Sequence, residues 1–311
     1  MNKRVFIVAL SITFFIALLI TNGCQTAQTP TTPTTTTTTT LPVVIVENDS
    51  RSGEIFGPEI WRGTIEITGD VLLRSGANVT IEPGTTVKFA ARSDDQGLGG
   101  TDPVQDSNFP NDPVVKFSEL STIITHGGTL TAIGTSTESI TFTSNAASPD
   151  ARDWHGLQYG EAGSTMNIQY AIIEYAYLGL GIGATATSSD ITFKNNIVRH
   201  IIGAGVACAS GSFDIAFTVA DSDLSDCGHE AVDIHENASL IVENNNFHDN
   251  SGSYGDPSGG GTGVVIVGSD SIIRNNTFTN NNLAINVVDS SGNPSISGNT
   301  FTNNGQDIQT N

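Results

Sequence analysis

The chain has 311 residues, of which 37% are hydrophobic, 7% aromatic and only 14% charged. That is too apolar for a chain disordered throughout, and the length suits either one long repeat domain or two ordinary ones. Twelve Lys and Arg against 32 Asp and Glu give a net charge of −20, which excludes nucleic acid as a partner, and three Cys are too few for a disulfide scaffold.

In chain order, a basic start (Asn2, Lys3, Arg4) precedes residues 5–20, an apolar run broken only by Ser11 and Thr13. The run is short for a membrane span and suits the apolar part of a signal peptide. It ends in Thr21-Asn22-Gly23-Cys24, where Gly before Cys resembles the lipobox of bacterial lipoproteins, although Thr21 and Asn22 depart from that pattern. The resemblance implies that residues 1–23 are removed and Cys24 is lipidated. The protein is then exported and anchored to a membrane at the cell surface or outer membrane; an ordinary secretory signal is the alternative. Cleavage takes away Lys3 and Arg4, leaving 10 − 32 = −22. Residues 24–52 read as a linker, with 11 Thr between 26 and 40 and almost nothing apolar to bury. Such a stalk stays extended and offers sites for O-linked sugars.

From residue 53 to 311 the expected fold is all-β. No segment keeps a helical apolar period, whereas short β-branched runs alternate with Gly, Asn, Ser and Asp. The segments FKNNIVRH, ADSDLSDC, ENNNFHDN, RNNTFTNN and SGNTFTNN superpose on the apolar anchors Ile197, Leu224, Phe247, Phe278 and Phe301, spaced by 27, 23, 31 and 23 residues. A repeat near 23 residues with two or three short strands suits one turn of a parallel β-helix, with coils about 4.8 Å apart. Val206, Cys208, Val232, Ile234, Ile285 and Val287 are then inward core residues. Eighteen of the 26 Asn lie from Asn195 onward, where tight turns need left-handed conformations and side-chain ladders. These repeats resemble the right-handed parallel β-helix superfamily of carbohydrate-active and surface proteins. Residues 61–89 and 122–144, with DWHGLQY after them, are similar to the opening coils of secreted β-helix proteins.

An insertion at 93–113 carries Asp94, Asp95, Asp102, Asp106 and Asp112 without a Lys or Arg. It reads as a surface loop, and its acids make Ca²⁺ the expected metal. Aligning the coils gives further candidates. Two residues past the anchor stand Arg199, Asp226, Asp249, Asn280 and Asn303; three past stand His200, Cys227, Asn250, Asn281 and Asn304. Asp226 and Asp249 then lie on successive coils about 5 Å apart, which suits a retaining glycosidase pair, a Ca²⁺ site or an ordinary turn ladder balanced by Arg199.

The run Asp233-Ile234-His235-Glu236 is similar to the D-P-H-[DE] signature of mannuronan C5-epimerases, β-helices that act on alginate. The resemblance implies catalytic roles for Asp233 and His235; Ile234 in place of Pro, and Glu230 in place of the family's Tyr, depart from it. An outward Asp and His at a strand end is the alternative. The motif sets of pectate lyases and polygalacturonases are missing, Gly228-His229-Glu230 being the nearest approach to one. No His pair has metal-ligand spacing, and His229 and His235 are six apart. Trp61, Trp154, Tyr159, Tyr170, Tyr175 and Tyr177 are the candidate sugar platforms or core residues.

The expectation is a surface-anchored β-helix module that binds a polysaccharide or cell-envelope glycan or mediates adhesion. A polysaccharide-active lyase, epimerase or hydrolase, working through Asp226 and Asp249 or Asp233 and His235, is one alternative. A structural envelope protein is another. The final repeat runs to Asn311 with a single charge, Asp307, in its last ten residues. Its open edge is expected to fray or to associate end to end with a second copy.

Overall fold

A computed structural model describes residues 41–94, 119–208, 213–252, 260–289 and 291–311. Cys24, the Thr-rich stretch, and Asp95, Asp102, Asp106 and Asp112 lie outside the described residues. Those described hold 28 strands and no α-helix. They follow from the alternation seen in the sequence: most inward positions are Val, Ile, Leu or Phe, while Gly and Asn fall at the turns between runs.

The strands wind into coils with three faces. Face 1 is a ladder of ten strands, from Val44–Glu47 and Pro58–Arg62 to Ile272–Arg274 and Ser295–Ser297. Face 2 includes Ile197–Ile201, Asp223–Cys227, Asn246–His248, Thr277–Thr279 and Thr300–Thr302. Face 3 includes Gly156–Tyr159, Leu180–Ile182, Val206–Cys208, Glu230–Ile234, Thr262–Val267 and Leu283–Asp289. Thr64–Arg74 serves two faces, pairing through Thr64 to Ile67 with Thr86–Phe89 and through Val71 to Arg74 with Thr122–His126. Every ladder pairing is parallel, each strand meeting its equivalent one coil away. The first coil, Val44–Glu47 and Ser50–Ile55, begins before residue 53.

Inward residues stack in columns. Val206, Val232, Val264 and Ile285 are register partners on successive coils, and all are fully buried. Cys208, Ile234 and Val287 are buried in the same way, as the sequence suggested. Phe247 and Phe278 stack with ring centroids 4.8 Å apart, and Phe278 and Phe301 at 5.4 Å. Trp61, Trp154 and Tyr159 are fully buried, so these aromatics are core and not sugar platforms.

The anchor alignment needs one correction. Leu224 pairs with Val198, and Ile197 pairs with Asp223. Val198 is buried, while Ile197 is 37% exposed. The residue two past the anchor is therefore His200, not Arg199. It shares a left-handed corner with Tyr175, Asp226, Asp249, Asn280 and Asn303, all with φ between 49° and 62°. The three-past column holds Ile201 opposite Cys227. Cys227 ends a strand with its thiol in the core. From there an amide ladder runs down the corner. Asn250 Oδ1 accepts from Cys227 N at 2.9 Å, Asn281 Oδ1 from Asn250 Nδ2 at 2.8 Å, and Asn304 Oδ1 from Asn281 N at 3.0 Å. Each amide completes buried backbone groups that the turn would otherwise strand.

Candidate functional site

In the first candidate pair the two carboxylates have separate partners. Asp226 and Asp249 occupy the same corner position on successive coils, but each carboxylate is held by a different histidine. His200 Nδ1 lies 2.6 Å from Asp226 Oδ2, and the His200 ring stacks on Tyr175 at 5.0 Å. Asp249 takes His248 Nδ1 at 2.7 Å and Asn280 Nδ2 at 3.1 Å. Hydrogen bonds from His248 and Asn280 hold the Asp249 carboxyl below its usual range. Arg199, expected to balance the pair, instead meets Glu174 at 2.8 Å. Asp94 also has a structural engagement: its Oδ1 accepts from Asp70 N at 3.0 Å. Among the described residues, no three His, Cys, Asp or Glu side chains gather as a metal-binding group.

The second candidate pair sits in a depression on face 3. At the end of the strand Glu230–Ile234 the fully buried Ile234 points inward, and its neighbours Asp233 and His235, both half-buried, point outward. His235 Nε2–H donates to Asp233 Oδ2 at 3.0 Å. That bond, helped by the neighbouring carboxylate charges and opposed by burial, lifts the His235 pKa above its ordinary value. Beside the Asp233 carboxylate the neutral ring keeps its proton on Nε2 and offers Nδ1 as an acceptor, and the protonated ring offers Nδ1–H as a donor.

Around this pair lies a groove of about 320 Å³. Its floor is low because Gly203, Ala204 and Ala207 carry almost no side chain. Tyr177 and His229 lie along it on different coils, and Val265 and Val267 add an apolar strip. Glu230 belongs to the same lining and is 9% exposed, with His229 Nδ1 in very close contact with its Oε2. Two imidazole–carboxylate pairs and one phenol therefore converge where a chain-like ligand can lie. His229 and His235, six residues apart, face the same groove. Sequence spacing hid this because His229 lies in the corner before the strand and His235 just after it.

Such a set can hydrogen-bond sugar hydroxyls, and it can exchange a proton with one through His235 or His229. Behind it His155 lies 6.0 Å from Tyr177, ring to ring, and burial lowers its pKa to about 4, so it is neutral near neutrality. Cys208 and Cys227 are free and buried, and burial pushes both thiols up, which makes them poor nucleophiles.

Residues 216–310 match the family model for the right handed beta helix region. With the three parallel ladders, this defines the fold as a right-handed β-helix repeat. No curated protein and no solved structure matches the chain.

Proposed function

We propose that this β-helix binds a polysaccharide or cell-envelope glycan along the groove of face 3. The supporting observation is the convergence of Tyr177, His229, Glu230, Asp233 and His235 on one groove of about 320 Å³ beside an apolar strip. Carbohydrate sites need this mixture, with directional polar groups for hydroxyls and apolar or aromatic surface for the C–H faces of the ring.

A second reading, an enzyme acting on such a glycan, draws on the 3.0 Å contact between His235 and Asp233, which orients an imidazole toward the groove. One experiment addresses both. The purified protein is titrated with a polysaccharide panel and then incubated with each binder while reducing ends and unsaturated products are followed. Binding that weakens at least roughly tenfold in Tyr177→Ala and Asp233→Ala supports the glycan site. Product formation abolished in Asp233→Asn supports the enzyme, and binding indifferent to both alanine variants removes the groove from the account.

A further inference from the structure

We propose that the face 3 groove selects glycans bearing free amino groups over uronate polymers and over their N-acetylated counterparts; this rests on the groove being a glycan site. Glu230 and Asp233 line the groove, and none of its lining residues is Lys or Arg. Residues 200–273, which supply most of the lining, include eleven Asp and Glu and no Lys or Arg. The cations that border this stretch are already engaged, Arg199 by Glu174 at 2.8 Å and Arg274 by Glu243 at 2.6 Å.

A uronate chain would bring its carboxylates against two more; the lining holds no Lys or Arg, and its two imidazoles, His229 and His235, are already paired with Glu230 and Asp233. Partial burial sharpens that repulsion, since the Glu230 and Asp233 side chains are only 12% and 21% exposed. An ammonium group reverses the sign and supplies three N–H donors. Asp233 gives Oδ2 to His235 and keeps Oδ1 as an acceptor for such a group. Val265, Val267 and Tyr177 offer surface to the rest of the sugar ring. N-acetylation removes both the charge and two of the donors, so the acetylated form meets the same acceptors with less to offer.

Calorimetric titration of the full chain with glucosamine tetramer, its fully N-acetylated form and galacturonic acid tetramer, at physiological salt and slightly acid pH, tests this. The amino form is expected to bind roughly tenfold more tightly than the acetylated one, about the value of one charge-assisted hydrogen bond. The uronate is expected not to bind. Asp233→Asn, close to isosteric, should erase most of the difference, as should Glu230→Gln. Glu138→Gln makes the same charge change at an exposed turn outside the groove and should leave it intact. If Glu230→Gln does not fold, Asp233→Asn alone decides. Equal affinity for the two glucosamine forms, with binding retained, overturns the amine preference and leaves the glycan site standing. Absence of binding by every glycan, the panel included, overturns both. A lysine tetramer that binds as tightly as the amino sugar, or a Glu138→Gln loss equal to that of Asp233→Asn, would reduce the effect to attraction by the overall charge and sink the proposal.

Discussion

Histidine is the residue type whose environments diverge most in this molecule. Burial lowers His155 to about 4. His235 is raised by its bond to Asp233; for His248 burial opposes, but bonds and charge from Asp249 and Asp223 prevail and the net shift is upward. The two directions act on stability with opposite sign. The stabilisation from His235 and His248 is fully present below about pH 6.5 and fades as pH rises through their folded values. His155 contributes above about pH 6.5, where the unfolded chain is also neutral, and its contribution is lost as pH falls toward 4. The larger displacement belongs to His155, so acidification from pH 7 to 4.5 should destabilise the protein. His155→Gln should remove about 2 kcal/mol of that loss, allowing for its partial exposure. Urea unfolding at the two pH values measures it, and an equal loss in the variant and the parent would rule His155 out. At this scale sequence was a good but imperfect guide. Ile197 and Val198 are both β-branched and apolar, so either fits an anchor, and a shift of one residue turns every side chain to the opposite face. Asn195, left-handed like Asp221 and Asn244, marks the true position three residues before Val198.

At the level of the elements, the groove exists because two face 3 strands bring small outward residues where their neighbours bring larger ones. Gly181 and Ala207 stand in register between Gln158 on one side and Asp233 on the other. Close approach keeps this region small: a Cβ on Gly179 would come within 2.3 Å of the Gly205 carbonyl oxygen. Ala207 points outward on its strand, so Ala207→Trp should fill the groove without touching a core residue. Glycan binding is expected to fall at least roughly tenfold while the melting temperature changes little. Unaltered binding in a folded Ala207→Trp protein would place the ligand elsewhere. The ladders themselves were legible, since inward columns such as Val206, Val232 and Ile285 repeat with the coil. The groove was not, because a depression is made by what is small, and the sequence does not reveal that Tyr177, Ala207 and Asp233 meet across three coils.

On the scale of the whole molecule, a stack of coils joined only to their neighbours makes the protein a linear array. We propose that this array is tethered through a lipidated Cys24, by the resemblance of its surroundings to a lipobox. Cys24→Ser should then release a folded, soluble domain, detected by fractionation and circular dichroism; a variant that stays membrane-bound and unprocessed would mean an uncleaved anchor instead.

The amide ladder and the phenylalanine stack have one more consequence. Residues 276–281 and 299–304 spell the same six letters, NTFTNN. Phe247 therefore receives from either segment the ring it stacks on, and Asn250 the amide it bonds to. A nascent chain can dock the later segment in the earlier slot and leave 23 residues looped out, an error that local contacts barely penalise. The looped-out coil must detach the wrong partner before the right one can seat, which gives refolding a route into a transient trap. The same interchangeability makes the C-terminal end of the solenoid the place where gain or loss of a whole coil by in-frame recombination would disturb its neighbours least.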